Sequence, residues 1–210
     1  MKHFLIAFSC LALVATQAQA GESGFVSLFD GKSLKGWTES DGESSFAVRD
    51  GAIVAQGNPK GHLFYAGNVN GAVFTDFELK LDVKTTPGAN GGVYFHTKHQ
   101  ADGWPKQGFE CQVNATHSDR IKTGSLYAVK NVMDDAPHKD NEWFACHIIV
   151  KGEKVTIRVD VKTVLDWEQP EEFRKRPAGD RKIQPGTFAF QAHDPKSVVY
   201  FKNVRVKVLE

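Results

Sequence analysis

None of the short motifs that mark common chemistries is present in the 210 residues: no HExxH, no GxSxG, no Walker loop, no Rossmann glycine fingerprint and no CxxC. Covalent serine or cysteine chemistry therefore has no local support. Charge of one sign is missing too, with 26 Lys and Arg against 25 Asp and Glu. Such a balance gives no global field to recruit nucleic acid or an anionic membrane. The basic cluster Arg174-Lys175-Arg176 and Arg181-Lys182 sits among Pro177, Gly179 and Pro185 and reads as a solvated loop. Helical periodicity is almost absent.

Only one long apolar run occurs, Phe4 to Ala15, after Met1-Lys2-His3 and before Ala18-Gln19-Ala20. This is the pattern of a signal peptide over residues 1–20, with an exported product from Gly21, periplasmic or extracellular. The run is too short to span a bilayer comfortably, and Thr16-Gln17 interrupts it. Cys10 lies inside the run, not after the cleavage site, which argues against a lipid anchor. Removing the leader takes Lys2 and no acid, so the remaining basic and acidic residues balance at 25 each. Two cysteines remain, Cys111 and Cys146, each within an apolar strand pattern; export permits a disulfide between them, and two buried free thiols are the slightly favoured reading. About 190 residues suit one domain, 21–210, with a real core.

Short alternating runs bounded by Gly, Asn, Asp and Pro recur along the chain. The clearest is Phe77 to Lys84, which alternates without a fault and predicts one buried and one wet face. Other runs are Phe46 to Arg49, Ala52 to Ala55, His62 to Tyr65, Gly124 to Val129, Glu142 to Val150, Lys154 to Val161, Val164 to Trp167, Thr187 to His193 and Val198 to Val208. Gln169 to Gln184 reads as a surface excursion with one helical turn at Glu171 to Lys175. About a dozen strands in one domain predict an all-β sandwich of two antiparallel sheets.

The stretch Gly91 to Asn114 reads as two strands joined by a loop. Alternation puts Val93, Phe95, Phe109, Cys111 and Val113 on a core face, and Tyr94, His96, Glu110, Gln112 and Asn114 on the other. Phe188 to His193 repeats the split, with Gln191 and His193 on the polar side, and Tyr127 similarly opposes Leu126. If these faces share a sheet, Tyr94, His96, Glu110, Gln112, Tyr127, Gln191 and His193 line one concave surface. A solvated sheet face alternates in the same way, but this set is rich in His, Tyr, Gln and Glu rather than Lys and Thr. Trp104, in a Gly-Trp-Pro loop, is placed to stack on a sugar, whereas Trp37, Trp143 and Trp167 are expected in the core. His96, His193, His117 and Glu110 offer donors for a divalent metal ion, without diagnostic spacing. His62, His99, His138 and His147 are expected as surface or core histidines.

The ordered segments Leu28-Phe29-Asp30-Gly31 with Gly36-Trp37, Asn90-Gly91-Gly92-Val93-Tyr94-Phe95, Gly108-Phe109-Glu110-Cys111-Gln112, Gly124-Ser125-Leu126-Tyr127, Glu142-Trp143 and Phe190-Gln191-Ala192-His193 resemble the 3-keto-disaccharide hydrolase family. Its members are also described as 3-keto-glucoside 1,2-lyases and 3-keto-2-hydroxy-glucal hydratases. The resemblance implies a concanavalin-like or laminin-G-like jelly roll acting on glycosides oxidised at C3. It further implies Glu110, His193 and His96 as catalytic residues, with Tyr94, Trp104, Gln112, Tyr127 and Gln191 contacting an oxidised saccharide or glycoside. Two positions depart from many relatives: His96 stands where Arg is frequent, and Phe144 where Asn follows Glu-Trp. A non-catalytic sugar-binding module on the same jelly roll is the main alternative, and an adhesive surface domain a third.

Overall fold

The computed structural model describes residues 22–40 and 45–210. The leader expected over 1–20 lies outside them. Among the described residues no helix is long and apolar enough to cross a membrane.

The described residues form thirteen strands. The first seven are β1 (Val26–Ser27), β2 (Trp37–Glu39), β3 (Phe46–Arg49), β4 (Ala52–Gln56), β5 (Gly61–Tyr65), β6 (Phe77–Thr85) and β7 (Asn90–Thr97). The rest are β8 (Phe109–Asn114), β9 (Phe144–Lys151), β10 (Lys154–Val159), β11 (Lys162–Glu168), β12 (Thr187–Ala192) and β13 (Val198–Val208). A single helical turn, α1 (Glu171–Arg174), interrupts the run between β11 and β12. The strands make two antiparallel sheets, one ordered β11-β10-β9-β6-β13-β4-β3 with β1 beside β13, the other β2-β5-β12-β7-β8. This is the expected jelly-roll sandwich.

The larger sheet behaves as alternation dictates. Phe77, Leu79, Leu81 and Val83 of β6 are buried while the residues between them are half-exposed. Its apolar face meets Leu63, Phe95, Phe109, Phe188 and Phe190 of the smaller sheet in one core. Phe190 of β12 and Phe201 of β13 stack across the sheets, centroids 4.1 Å apart and planes within 5°. Fully burying such a ring contributes about 1.5–3 kcal/mol. Cys111 and Cys146 come from opposite sheets and are both buried and free. Hydrogen bonding with Cys146 and then burial push the Cys111 thiol well up.

The smaller sheet breaks the pattern: every residue of β7 and of β12 is buried. Its outer face is therefore covered too, by the connections that carry Trp104, Tyr127 and Arg181. That covered outer face is where the polar residues of the alternating pattern collect.

Two expectations of secondary structure are corrected. Gly124 to Val129 is not a strand; it turns on itself, held along the edge of β8 by Leu126 bridging Cys111 and by bonds such as Tyr127 N–H to Glu110 O (3.0 Å) and Gln112 N–H to Ser125 O (3.0 Å). Trp143 is 39% exposed and not core. Lys202 and Lys84 lie over its ring on the wet side of the larger sheet, at 3.9 and 5.0 Å. Trp167 is half-buried against Phe109 and Phe173, while Trp37 is buried with its indole N–H on Leu28 O at 2.9 Å.

Candidate active site

Strand register assembles the site. Tyr94 of β7 pairs with Glu110 of β8, and Gly92 with Gln112. On the other side Ala189 of β12 pairs with Tyr94, and Gln191 with His62 of β5. Because these residues share one phase, their side chains rise together from the outer face. They line a pocket of about 350 Å³ with Asn90, Tyr94, Trp104, Pro105, Glu110, Gln112, Tyr127, Arg181, Gln191 and His193 in its walls. Seven of the eight residues singled out from the sequence therefore converge.

The eighth does not. His96 is fully buried, its ring 5.5 Å from Phe77 and 5.4 Å from Phe95, and its Nε2 lies 2.8 Å from Thr75 O. The cause is a β-bulge. Between the pairs Ala189–Tyr94 and Thr187–Thr97, β7 spends one residue more than β12, and His96 takes a positive φ of 55°. The phase slips there, so His96 turns toward the core instead of the pocket. Gly108 and Gly186 make room for the bulge, since a Cβ on either would come within 2.6 Å of the His96 carbonyl carbon. Phe144, the other departure, is also remote, stacked on His138 at 3.9 Å.

At the pocket's centre the Glu110 carboxylate accepts from Tyr94 Oη (2.9 Å) and Gln191 Nε2 (3.0 Å), and Gln191 Nε2 also reaches Tyr94 Oη at 3.2 Å. Surrounding protein replaces most of the water that would solvate the carboxylate, and this outweighs both hydrogen bonds and the positive charge of Arg181. The Glu110 pKa rises from 4.5 to about 7. Burial, then the neighbouring Glu110 charge, pushes the Tyr94 phenol up, so it stays a donor. Burial, and then His193, hold His62 neutral with a pKa of about 4.

His193 follows β12 and donates from Nδ1 to Asp194 Oδ2 at 3.0 Å. Burial opposes ionisation of Asp194, but bonds from Ser197 Oγ, His193 and the Lys196 N–H prevail and lower its pKa to about 2. The carboxylate thus fixes the ring with Nδ1 protonated, and the ring forms part of the pocket wall. Trp104 covers the His193 ring at 5.5 Å and meets His62 edge-on at 5.6 Å.

His117 arrives from the loop after β8, which Asn114 shapes by donating to Asp119 O and Ile121 O, both at 2.9 Å. His117, His193 and Asp194 bring three donor atoms within 4.8 Å of one another, a set a divalent ion would accept. The hydrogen bonds serve a different arrangement. His117 Nδ1 accepts the Asp119 N–H at 3.1 Å, so the neutral ring carries its proton on Nε2, the nitrogen 4.0 Å from Asp194. A protonated nitrogen cannot ligate. Of the other two donors considered from the sequence, His96 is in the core and Glu110 is engaged with Tyr94 and Gln191.

Asn90, Pro105, Arg181 and Asp194 were not among the residues singled out from the sequence. Asn90 is in phase with Gly92 and was findable; Arg181 was not. It was read as part of a solvated loop, yet it donates to Tyr127 O at 3.1 Å and forms a wall of the pocket. Three buried acceptors of the lining, Asn90 Oδ1, Gln112 Oε1 and Gln191 Oε1, have no donor among the described residues. A ligand rich in hydroxyl groups supplies donors of that kind.

The site is thus a polar pocket, flanked by Trp104, on the outer face of the smaller sheet of a two-sheet jelly roll. Residues 24–207 match the model of the 3-keto-alpha-glucoside-1,2-lyase-like domain, and the chain belongs to that family. No curated protein matches it. Among solved structures, a candidate glycosyl hydrolase from Parabacteroides distasonis is similar with a TM-score of 0.72 at 23% identity, over 89% of this chain and 94% of that one. Carbohydrate-binding module CBM66 from Bacillus subtilis gives 0.58 at 16% identity, over 82% and 95%. The Bacillus licheniformis β-glucanase gives 0.56 at 10%, over 91% and 100%. At these identities the structural likeness concerns the fold.

Proposed function

We propose that the pocket binds a glycoside already oxidised to a ketone at C3, expels its C1 substituent by β-elimination, and adds water to the resulting glycal, for net hydrolysis. The observation that carries this reading is the presence in one pocket of a carboxyl group poised near neutrality, Glu110, and an imidazole held by its own carboxylate, His193 on Asp194. A C3 ketone acidifies the C2 proton, so such a substrate needs a base at C2, an acid at the leaving oxygen and positive charge near the enolate.

Each requirement has a residue. The Glu110 carboxylate takes the C2 proton, and the electrons of that bond pass into the enolate, which Arg181 faces as the cation in the pocket wall. Collapse of the enolate breaks the bond from C1 to the leaving oxygen, which receives a proton from Nε2 of the His193 imidazolium. In the second half, neutral His193 takes a proton from water as its oxygen adds to C1, and Glu110 returns its proton to C2. Both groups end as they began. Asn90, Gln112 and Gln191 accept from sugar hydroxyls, and Trp104 stacks on the ring. The leader-like first 20 residues favour action outside the cytoplasm.

Incubation with a 3-keto-glucoside tests this, with Glu110→Ala and His193→Ala beside the wild type. Loss of turnover in both variants is expected. Half-exposed Trp104 would equally serve a non-catalytic sugar-binding module, which would show saturable binding and no consumption of substrate.

A further inference from the structure

Beside the pocket, and sharing Trp104, Pro105 and Arg181 with it, opens a second bay of about 650 Å³. Its remaining walls include Lys106 from the β7–β8 connection and Phe173, Arg176 and Asp180 from the excursion between β11 and β12. If the sugar occupies the inner pocket, its C1 substituent can extend past Arg181 into this bay.

The bay's charge is lopsided. Three cations, Lys106, Arg176 and Arg181, line its walls, and among the described residues none of them is in an ion pair, as is true of most cations on this surface. Arg176 instead donates to Arg181 O at 3.3 Å and lies 3.6 Å over the Phe173 ring. Arg181 is held on the Tyr127 carbonyl. The one acid in the wall, Asp180, uses Oδ1 to accept the Arg181 N–H at 2.7 Å. In a chain whose charges otherwise balance, three cations face one concavity with an aromatic floor.

We infer that this bay is the leaving-group subsite and that it selects substituents carrying a carboxylate on an aromatic ring. The ring lies along Trp104, and the anion meets Lys106 and Arg176. This rests on the reading of the inner pocket as a 3-keto-glycoside site.

The test compares 4-carboxyphenyl and 4-carbamoylphenyl 3-keto-glucosides, which have nearly the same shape. The neutral amide withdraws electrons more strongly and is the better leaving group, so a preference for the carboxylate cannot come from intrinsic reactivity. Wild-type kcat/KM is expected to favour the carboxylate at least about fivefold. The preference should shrink with added salt. It should fall toward unity in Lys106→Gln and Arg176→Gln, read as the ratio of the two substrates within each variant. Calorimetric binding of the same two aryl glucosides without the C3 ketone is measured in parallel. If neither keto substrate is consumed but carboxylate binding is preferred and lost in the variants, the subsite stands and the elimination chemistry falls. No carboxylate preference in either measurement, or a preference untouched by both substitutions, overturns the inference.

Discussion

The Glu110 carboxylate occupies the space that a side chain at position 92 would need: a Cβ on Gly92 would lie 2.3 Å from Oε1 and 2.9 Å from Cγ and Cδ. Gly92 is the cross-strand partner of Gln112 and stands diagonal to Glu110. Its missing side chain lets the carboxylate fold down onto Tyr94 and Gln191.

Gly92→Ala is therefore expected to displace Glu110 from both hydrogen bonds. Glu110 has a flexible side chain that can swing away, so the fold survives and kcat drops about 100-fold. Steady-state kinetics beside a thermal melt separates the two effects; unchanged kcat would mean that the position of Glu110 does not matter.

Glu110→Gln is expected to lower kcat by about 10²–10⁴-fold and to change stability with a definite sign. The folded-state pKa is raised, from 4.5 to about 7, so the wild type folds at a cost above pH 7 that disappears as pH falls from 7 to 4.5. The variant carries no such cost and should be more stable by about 3 kcal/mol above pH 7, the gain vanishing below pH 4.5. His62 and His96, each held near a pKa of 4, act the other way: their contributions are present above 6.5 and lost as pH falls toward 4. Denaturant melts of variant and wild type at each pH cancel those two terms.

Asp194 touches no substrate in the proposed reaction; it positions His193. Asp194→Asn is expected to lower kcat about 100-fold with little change in KM. Asp194→Glu should restore part of the rate. A purely structural Asp194 would lower the folded fraction and leave the kcat of that fraction unchanged.

His96→Ala should do the reverse of an active-site change. The ring is packed on Phe77 and Phe95 and bonded to Thr75 O, so its loss is expected to cost about 2–3 kcal/mol of stability. The kcat/KM of the folded protein should be unchanged. Loss of kcat/KM at full stability would return His96 to the pocket chemistry.

What the sequence made legible follows from what alternation can express. Phe77 to Lys84 and Val198 to Val208 were readable because one face of the larger sheet is dry and the other wet. The same rule placed Tyr94, Glu110, Gln112 and Gln191 together, since β7, β8 and β12 keep their phase at those positions. It failed at His96, where one extra residue shifts the phase and the glycines that accommodate the shift, Gly108 and Gly186, lie outside β7. It failed again at Gly124 to Val129, where Leu126 is buried against the edge of β8 by a single bridge to Cys111 without forming a ladder. Arg181 and Asp194 lie in connections, and where a loop folds back over a sheet leaves no period to read.

The central claim is that cleavage proceeds by removal of the C2 proton. A 3-keto-glucoside deuterated at C2, turned over in ordinary water and followed by NMR, tests it most directly. The account predicts loss of the C2 deuterium to solvent, a slower rate than for the protiated substrate, and transient appearance of the keto-glycal, all abolished in Glu110→Gln. Cleavage with deuterium retained at C2 and no keto-glycal would contradict it.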